Sequence, residues 1–221
     1  MNLYLYRFEL FFITQMIILF GGLVIPGEFF EQTVAPIAFL LNLVAGVILI
    51  SKRKELFWFF LVLLFASSII LGLAQAYDDM TLSTRYIQFG IYFAFYLLIS
   101  YEIIRQVWYT DVVNKKVILG MLSGFICLGL IGFFIYMSIE LTHPNSFEGG
   151  LLAMRGEMPN VLTEQLMYFS FITLMTIGYG EIVPVTPLAQ KAAILVGLIG
   201  QFYLVIITAV VVGKFINQRN S

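Results

Sequence analysis

Gly178 and Gly180 stand at alternate positions in the run Thr173-Leu174-Met175-Thr176-Ile177-Gly178-Tyr179-Gly180-Glu181. A row of backbone carbonyls can replace the water shell of a dehydrated monovalent cation if successive peptide units turn their oxygens to one side. Such a backbone alternates between conformations that residues with a Cβ cannot all adopt, so glycine is wanted at every second place. Thr176 adds a hydroxyl at one end of the row, while Ile177 and Tyr179 are expected to point away and pack against the helix before it. The chemistry offered is coordination by oxygen, not bond making. The sequence holds no metal-ligand cluster, nucleophile elbow or phosphate-binding loop, so neither an enzyme nor a cofactor is expected.

A row of this kind needs walls that exclude water, and the composition provides them. Of 221 residues, 61% are hydrophobic and 11% charged, against about half and a quarter in soluble domains. The net charge of −1 gives no reason to expect nucleic acid as a partner. Cys127 is the one cysteine, lies in an apolar run and reads as a core residue. The first apolar run extends from Arg7 to Ile25 with no small-residue cleavage site after it, so it reads as a membrane span and not a signal peptide. A helix needs about twenty apolar residues to cross the hydrocarbon core. Segments 8–25, 34–51, 56–76, 86–108, 116–139 and 188–214 meet or approach that length. A further stretch, 161–175, is too short and runs into the glycine-bearing turn, the pattern of a re-entrant helix. Asn160 is placed to cap that helix, whose negative end near Met175 would face a cation in a central cavity.

The loops fix an orientation. Arg7, Lys52, Arg53, Lys54, Arg105, Lys115, Lys116, Lys214 and Arg219 fall on one side, against Arg85, Arg155 and Lys191 on the other. That asymmetry puts both termini in the cytoplasm and agrees with an even number of spans. Trp58, Trp108, Tyr77, Tyr101 and Tyr109 near the span ends suit an interfacial belt. With seven residues after Lys214, no cytoplasmic ligand-binding domain is expected behind the last helix.

The segment Thr176-Ile177-Gly178-Tyr179-Gly180, closing a re-entrant helix between the last two of six spans, resembles the selectivity filter of the potassium channel superfamily. The resemblance is strong over 163–215 and architectural only over the first four spans. It implies an all-α membrane protein with six transmembrane helices, a re-entrant pore helix and a selectivity filter, assembled as a homotetramer because the chain carries one filter segment. Residues 1–110 would form a four-helix, voltage-sensor-like domain. Residues 111–221 would form the pore domain, with outer helix 116–139, extracellular turret 140–160, pore helix 161–175, filter 176–180 and inner helix 188–214. The resemblance further implies a passive K+ channel of the cell (plasma or inner) membrane. In it the carbonyls of Thr176, Ile177, Gly178 and Tyr179 and the Thr176 hydroxyl hold K+, and Gly180 shapes the outer mouth. Three residues depart from the family's common pattern. Glu181 follows the filter in place of aspartate, Phe169 stands where a tryptophan donor for that acid is expected, and Met175 replaces a threonine.

Gating is less legible. Steep voltage dependence takes roughly three to four charges per subunit inside the fourth helix, yet no Lys or Arg occurs between Tyr86 and Ile104. Arg85 and Arg105 at its ends read as interfacial anchors, and voltage dependence is expected to be weak or absent. Gly200 in the inner helix reads either as a hinge or as a site of close helix packing. His143, beside Glu140, reads as a sensor of extracellular pH or as a plain solvated histidine. The cluster Lys52-Arg53-Lys54 reads as a topology signal, with anionic lipid as the alternative partner. Three other functions compete: a less selective cation channel of the same fold, a potassium transporter subunit and a non-conducting membrane sensor. Tyr179 speaks against the first and the single intact filter segment against the second.

Overall fold

The computed structural model describes residues 3–77, 82–110, 112–154 and 161–219, with side chains at 3, 28, 31, 32, 73–77, 82–85, 153, 154 and 219 excepted. Asn160 as a helix cap and Arg85 as an anchor therefore lie outside the described residues. A 3₁₀ turn, Leu3–Tyr6, leads into helix α1, Arg7–Phe20. A short helical turn, Gly27–Phe29, and a π-helical turn, Phe30–Val34, run directly into α2, Ala35–Ile50. Then follow α3 (Lys54–Tyr77), α4 (Leu82–Tyr109) and α5 (Lys115–Thr142). Strand β1 (Phe147–Gly149), α6 (Val161–Leu174) and β2 (Ile182–Pro184) come next. Helix α7 (Pro187–Phe202) is joined through a π-helical turn, Tyr203–Ile207, to α8 (Thr208–Arg219).

Among the described residues five segments are helical, long and apolar enough to cross a membrane: Tyr4–Leu23, Lys54–Gly72, Tyr86–Tyr109, Lys115–Thr142 and Pro187–Gln218. The sixth expected span, 34–51, is a regular helix for only 16 residues. Pro36, which has no N–H to donate back into the preceding turn, stands directly after the π-helical turn, and the helical turns from Gly27 lengthen the helix. The chain forms two compact units, Met1–Gly124 and Phe125–Ser221, with the division inside α5.

In the first unit the core is aromatic. Phe95 lies 5.1 Å from Phe60 and 5.0 Å from Tyr96, ring centroid to centroid, and Gly46 leaves the room that the Phe95 ring fills. Polar side chains buried among apolar helices need partners close by, and Asn42 finds them. Its Nδ2 donates to the Phe11 carbonyl (3.3 Å) and the Thr14 hydroxyl (2.7 Å), and its Oδ1 accepts from the Tyr96 hydroxyl (2.9 Å). One side chain on α2 thus ties α1 to α4.

In the second unit α6 lies against α5 where α5 has no side chains. A Cβ at Gly129 would fall on the Phe171 ring, and one at Gly132 on the Ser170 hydroxyl. Ser170 Oγ donates to the Gly129 carbonyl at 2.6 Å. The all-helical expectation needs one amendment. β1 and β2 pair antiparallel, with Phe147 opposite Pro184, Glu148 opposite Val183 and Gly149 opposite Ile182. The ribbon fastens the loop after α5 to the segment after the Gly-Tyr-Gly run, and Gly149 (φ +97°) passes so close to the Glu181 carbonyl that no side chain fits.

Glu140 shapes the approach to this ribbon. It is buried and accepts from the backbone N–H groups of Asn145 (2.8 Å), Ser146 (2.9 Å) and Phe147 (3.2 Å). Hydrogen bonds to a charged acceptor are about twice as strong as neutral ones. Glu140→Ala leaves three donors without this acceptor and is expected to destabilise the chain by on the order of 3 kcal/mol. Glu140→Gln, which keeps an acceptor oxygen, should cost less. Thermal unfolding of the purified variants checks the order.

Candidate ion-conduction site

Helix α6 positions the glycine-bearing run by handing its last turn over to it. Met175 N–H donates to Phe171 O (2.9 Å), Thr176 to Thr173 O (3.0 Å), Ile177 to Ile172 O (2.9 Å) and Gly178 to Ile172 O (3.4 Å). The chain then takes left-handed backbone angles at every second residue: φ is +57° at Thr176, +54° at Gly178 and +90° at Gly180. The glycines adopt this without penalty. For Thr176, β-branched, it is an outlier that costs roughly 1–3 kcal/mol and persists only where the surroundings enforce it. Among the described residues no backbone N–H donates to the carbonyls of Thr176, Ile177, Gly178 or Tyr179. The run therefore alternates in backbone hand, and no described backbone donor takes up these carbonyl oxygens.

Ile177 and Tyr179 are 45% and 74% exposed. Phe169 is not the residue that faces Glu181. It is buried in a triad with Tyr136 (5.1 Å) and Phe147 (5.6 Å), which themselves lie 5.2 Å apart. Each residue advances about 100° around a helix, and it is Tyr168, one position earlier, whose hydroxyl is directed at Glu181. Its close approach to that carboxylate pushes the phenol up to about 12. The approach falls short of a formed bond, because neither Glu181 oxygen has a partner at hydrogen-bonding distance. Tyr168 is legible in the sequence as a donor-bearing aromatic next to Phe169.

The remaining residues are placed as follows. Gly200 on α7 is pressed against the carbonyl of Leu174, the last residue of α6, and a Cβ there would fall on that oxygen. Gly197 meets only Thr173 O, at 3.9 Å. Three residues beyond Gly200 begins the π-helical turn, with Tyr203 buried against Phe125 at 5.8 Å. His143 is exposed, with Nδ1 3.0 Å from the Thr142 hydroxyl. Glu102 on α4 is buried, 2.8 Å from Arg105 and 3.4 Å from Arg53. Lys52 Nζ lies 4.5 Å above the Tyr4 ring, and Lys54 is exposed.

Residues 120–217, from within α5 into α8, match a family model described as "Ion channel". The match covers the alternating strand and each element that touches it, so this part of the chain is similar to ion channels, with ion transport across a membrane as the corresponding activity. No curated protein and no solved structure matches the chain.

The two neighbouring glycines of α7 separate experimentally. Gly200→Ala must push α7 off the end of α6 and should lower stability by on the order of 3 kcal/mol, as overpacked sites do. Gly197→Ala should be neutral or slightly stabilising, since alanine is the better helix former. Thermal unfolding of both variants gives the comparison.

Proposed function

We propose that the chain is one subunit of a homotetrameric, potassium-selective channel that conducts K+ passively and responds weakly or not at all to voltage. The observation that carries this reading is the left-handed backbone at Thr176, Gly178 and Gly180, maintained at a cost in a β-branched residue. Such alternation aligns successive carbonyls, and four strands around an axis would surround K+ with the oxygens of Thr176, Ile177, Gly178 and Tyr179 and the Thr176 hydroxyl. One strand per chain, together with the uncovered Ile177 and Tyr179, supports assembly with three further copies. The excess of Lys and Arg on one set of loops supports cytoplasmic termini in a plasma or inner membrane. The stretch between Tyr86 and Ile104 without Lys or Arg supports voltage independence. Gly200, packed as it is, remains the place beside the π-helical turn where α7 would bend.

Bi-ionic reversal potentials of the protein in planar bilayers test the reading. K+ is expected to be strongly preferred over Na+, with open probability nearly flat against voltage. Equal permeabilities would favour the less selective cation channel, and no current from an assembled tetramer would favour the sensor. Gly178→Ala places a Cβ at φ +54°, which costs about 1–2 kcal/mol in each subunit. It should abolish K+ current or selectivity while the protein still assembles.

A further inference from the structure

We propose that the cavity at the basic end of the first unit binds the phosphate of an anionic lipid whose headgroup also carries hydroxyl groups. The cavity measures about 420 Å³, and Tyr4, Arg7, Lys52, Arg53, Glu102 and Arg105 are among its lining residues. That volume falls within the roughly 300–1,000 Å³ of small-ligand sites. It lies where the start of α1, the link between α2 and α3 and the end of α4 come together.

Among the described lining residues four cations face one carboxylate, three positive charges in excess. Glu102 Oε1 serves both Arg105 NH2 and Arg53 Nε, at 2.8 and 3.4 Å. Among the described residues Arg7 and Lys52 have no carboxylate partner. Their charged groups stand 4.1 and 4.5 Å over the ring of Tyr4. The Nε atoms of Arg7 and Arg105 are buried with no acceptor. A buried donor without a partner is costly, and the oxygens of a phosphate match the forked guanidinium donors. Glu102 Oε2 is the opposite case, an acceptor on a side chain 3% exposed with no donor. Phosphate alone would not answer it, whereas a hydroxyl beside the phosphate would.

The lipid source follows from the setting. The cavity opens at the ends of apolar helices, next to Trp108 and Tyr109, which are 46% and 76% exposed and of the types that gather at headgroup level. In this respect the proposal rests on the reading of these helices as membrane-embedded. It also changes the partner suggested by the cluster 52–54, because Lys54 does not line the cavity while Arg7 and Arg105 do.

The test is thermal unfolding of the full chain in detergent, titrated with dioctanoyl phosphatidylglycerol, dioctanoyl phosphatidylcholine or glycerol phosphate. Phosphatidylglycerol is expected to raise Tm in a saturable manner and phosphatidylcholine to have little effect. The double variant Arg7→Gln/Lys52→Gln should bind phosphatidylglycerol on the order of thirtyfold more weakly, and Lys54→Gln as the parent does. Lys52→Gln alone, at an exposed side chain, gives the same sign should the double variant fail to fold. Equal binding by parent and variant, or no preference for phosphatidylglycerol, would overturn the proposal. Saturation by glycerol phosphate at the same concentrations supports the site but moves its source to the aqueous phase. Stabilisation by K+, read on the same samples, reports on the filter alone, so the loss of one effect without the other shows which reading has failed.

Discussion

Successive peptide carbonyls face the same way along a strand only if the backbone alternates in hand, and everything in the second unit follows from maintaining that alternation at Thr176, Gly178 and Gly180. Glycine meets the requirement at two of the three places, and Thr176 resists it by roughly 1–3 kcal/mol. The opposing forces are local. Thr176, Ile177 and Gly178 each donate a backbone hydrogen bond into the last turn of α6, each worth about 0.5–1.5 kcal/mol net, so the three together are of the same size as the strain. They do so only if α6 itself is held. Its seat on α5 depends on the missing side chains of Gly129 and Gly132, and its end is met by Gly200 at the Leu174 carbonyl. Small residues in a membrane helix let backbones approach closely, and here that closeness converts helix packing into a fixed strand.

The far end of the strand is held differently. Beyond Gly180 the chain enters β2, which pairs with β1, and β1 is placed by the three backbone bonds that Glu140 receives. Phe147 of β1 reaches inward to Tyr136 and Phe169, so α5, the ribbon and α6 share one aromatic cluster. Edge-to-face and tilted aromatic pairs add about 0.5–1.5 kcal/mol each beyond their buried area. Bracing behind the strand is thus mainly apolar. A polar approach, Tyr168 to Glu181, stops short of a bond.

How much of this was legible depended on whether a residue's type alone betrays its backbone. Gly178 and Gly180 could be read because few other residues tolerate their angles, and the long helices could be read because about twenty apolar residues in a row have few other uses. The ribbon could not be read, since two strands of three residues, one ending in Pro184, carry no alternation long enough to see. Glu140 passed as a loop neighbour of His143 because the donors it collects belong to the backbone, which has no sequence signature. Phe169 and Tyr168 show a limit of register: both are aromatic, and one step of a helix decides which reaches the acid and which the core. Gly200 stayed ambiguous between hinge and packing because only the nearby Leu174 carbonyl, remote in sequence, discriminates.

The first unit shows the same economy with charge. Its fourth helix has no cation between Tyr86 and Ile104, and its one acid there, Glu102, is buried against Arg105 and Arg53. Suppose a membrane potential acted on that carboxylate. Moving one charge across 100 mV supplies about 2.3 kcal/mol, while uncoupling a buried carboxylate from its partners costs about 3–5 kcal/mol. Arg53 is 44% exposed, so its share of that cost is the smaller one. Asn42 adds a further restraint, because sliding α4 along α2 would also break its bond to Tyr96. The work done on that one charge is thus smaller than the cost of uncoupling it, in keeping with the voltage independence proposed above. A unit built in this way is a frame that holds its position, and a stimulus acting on it would have to compete for the same few charges at its basic end.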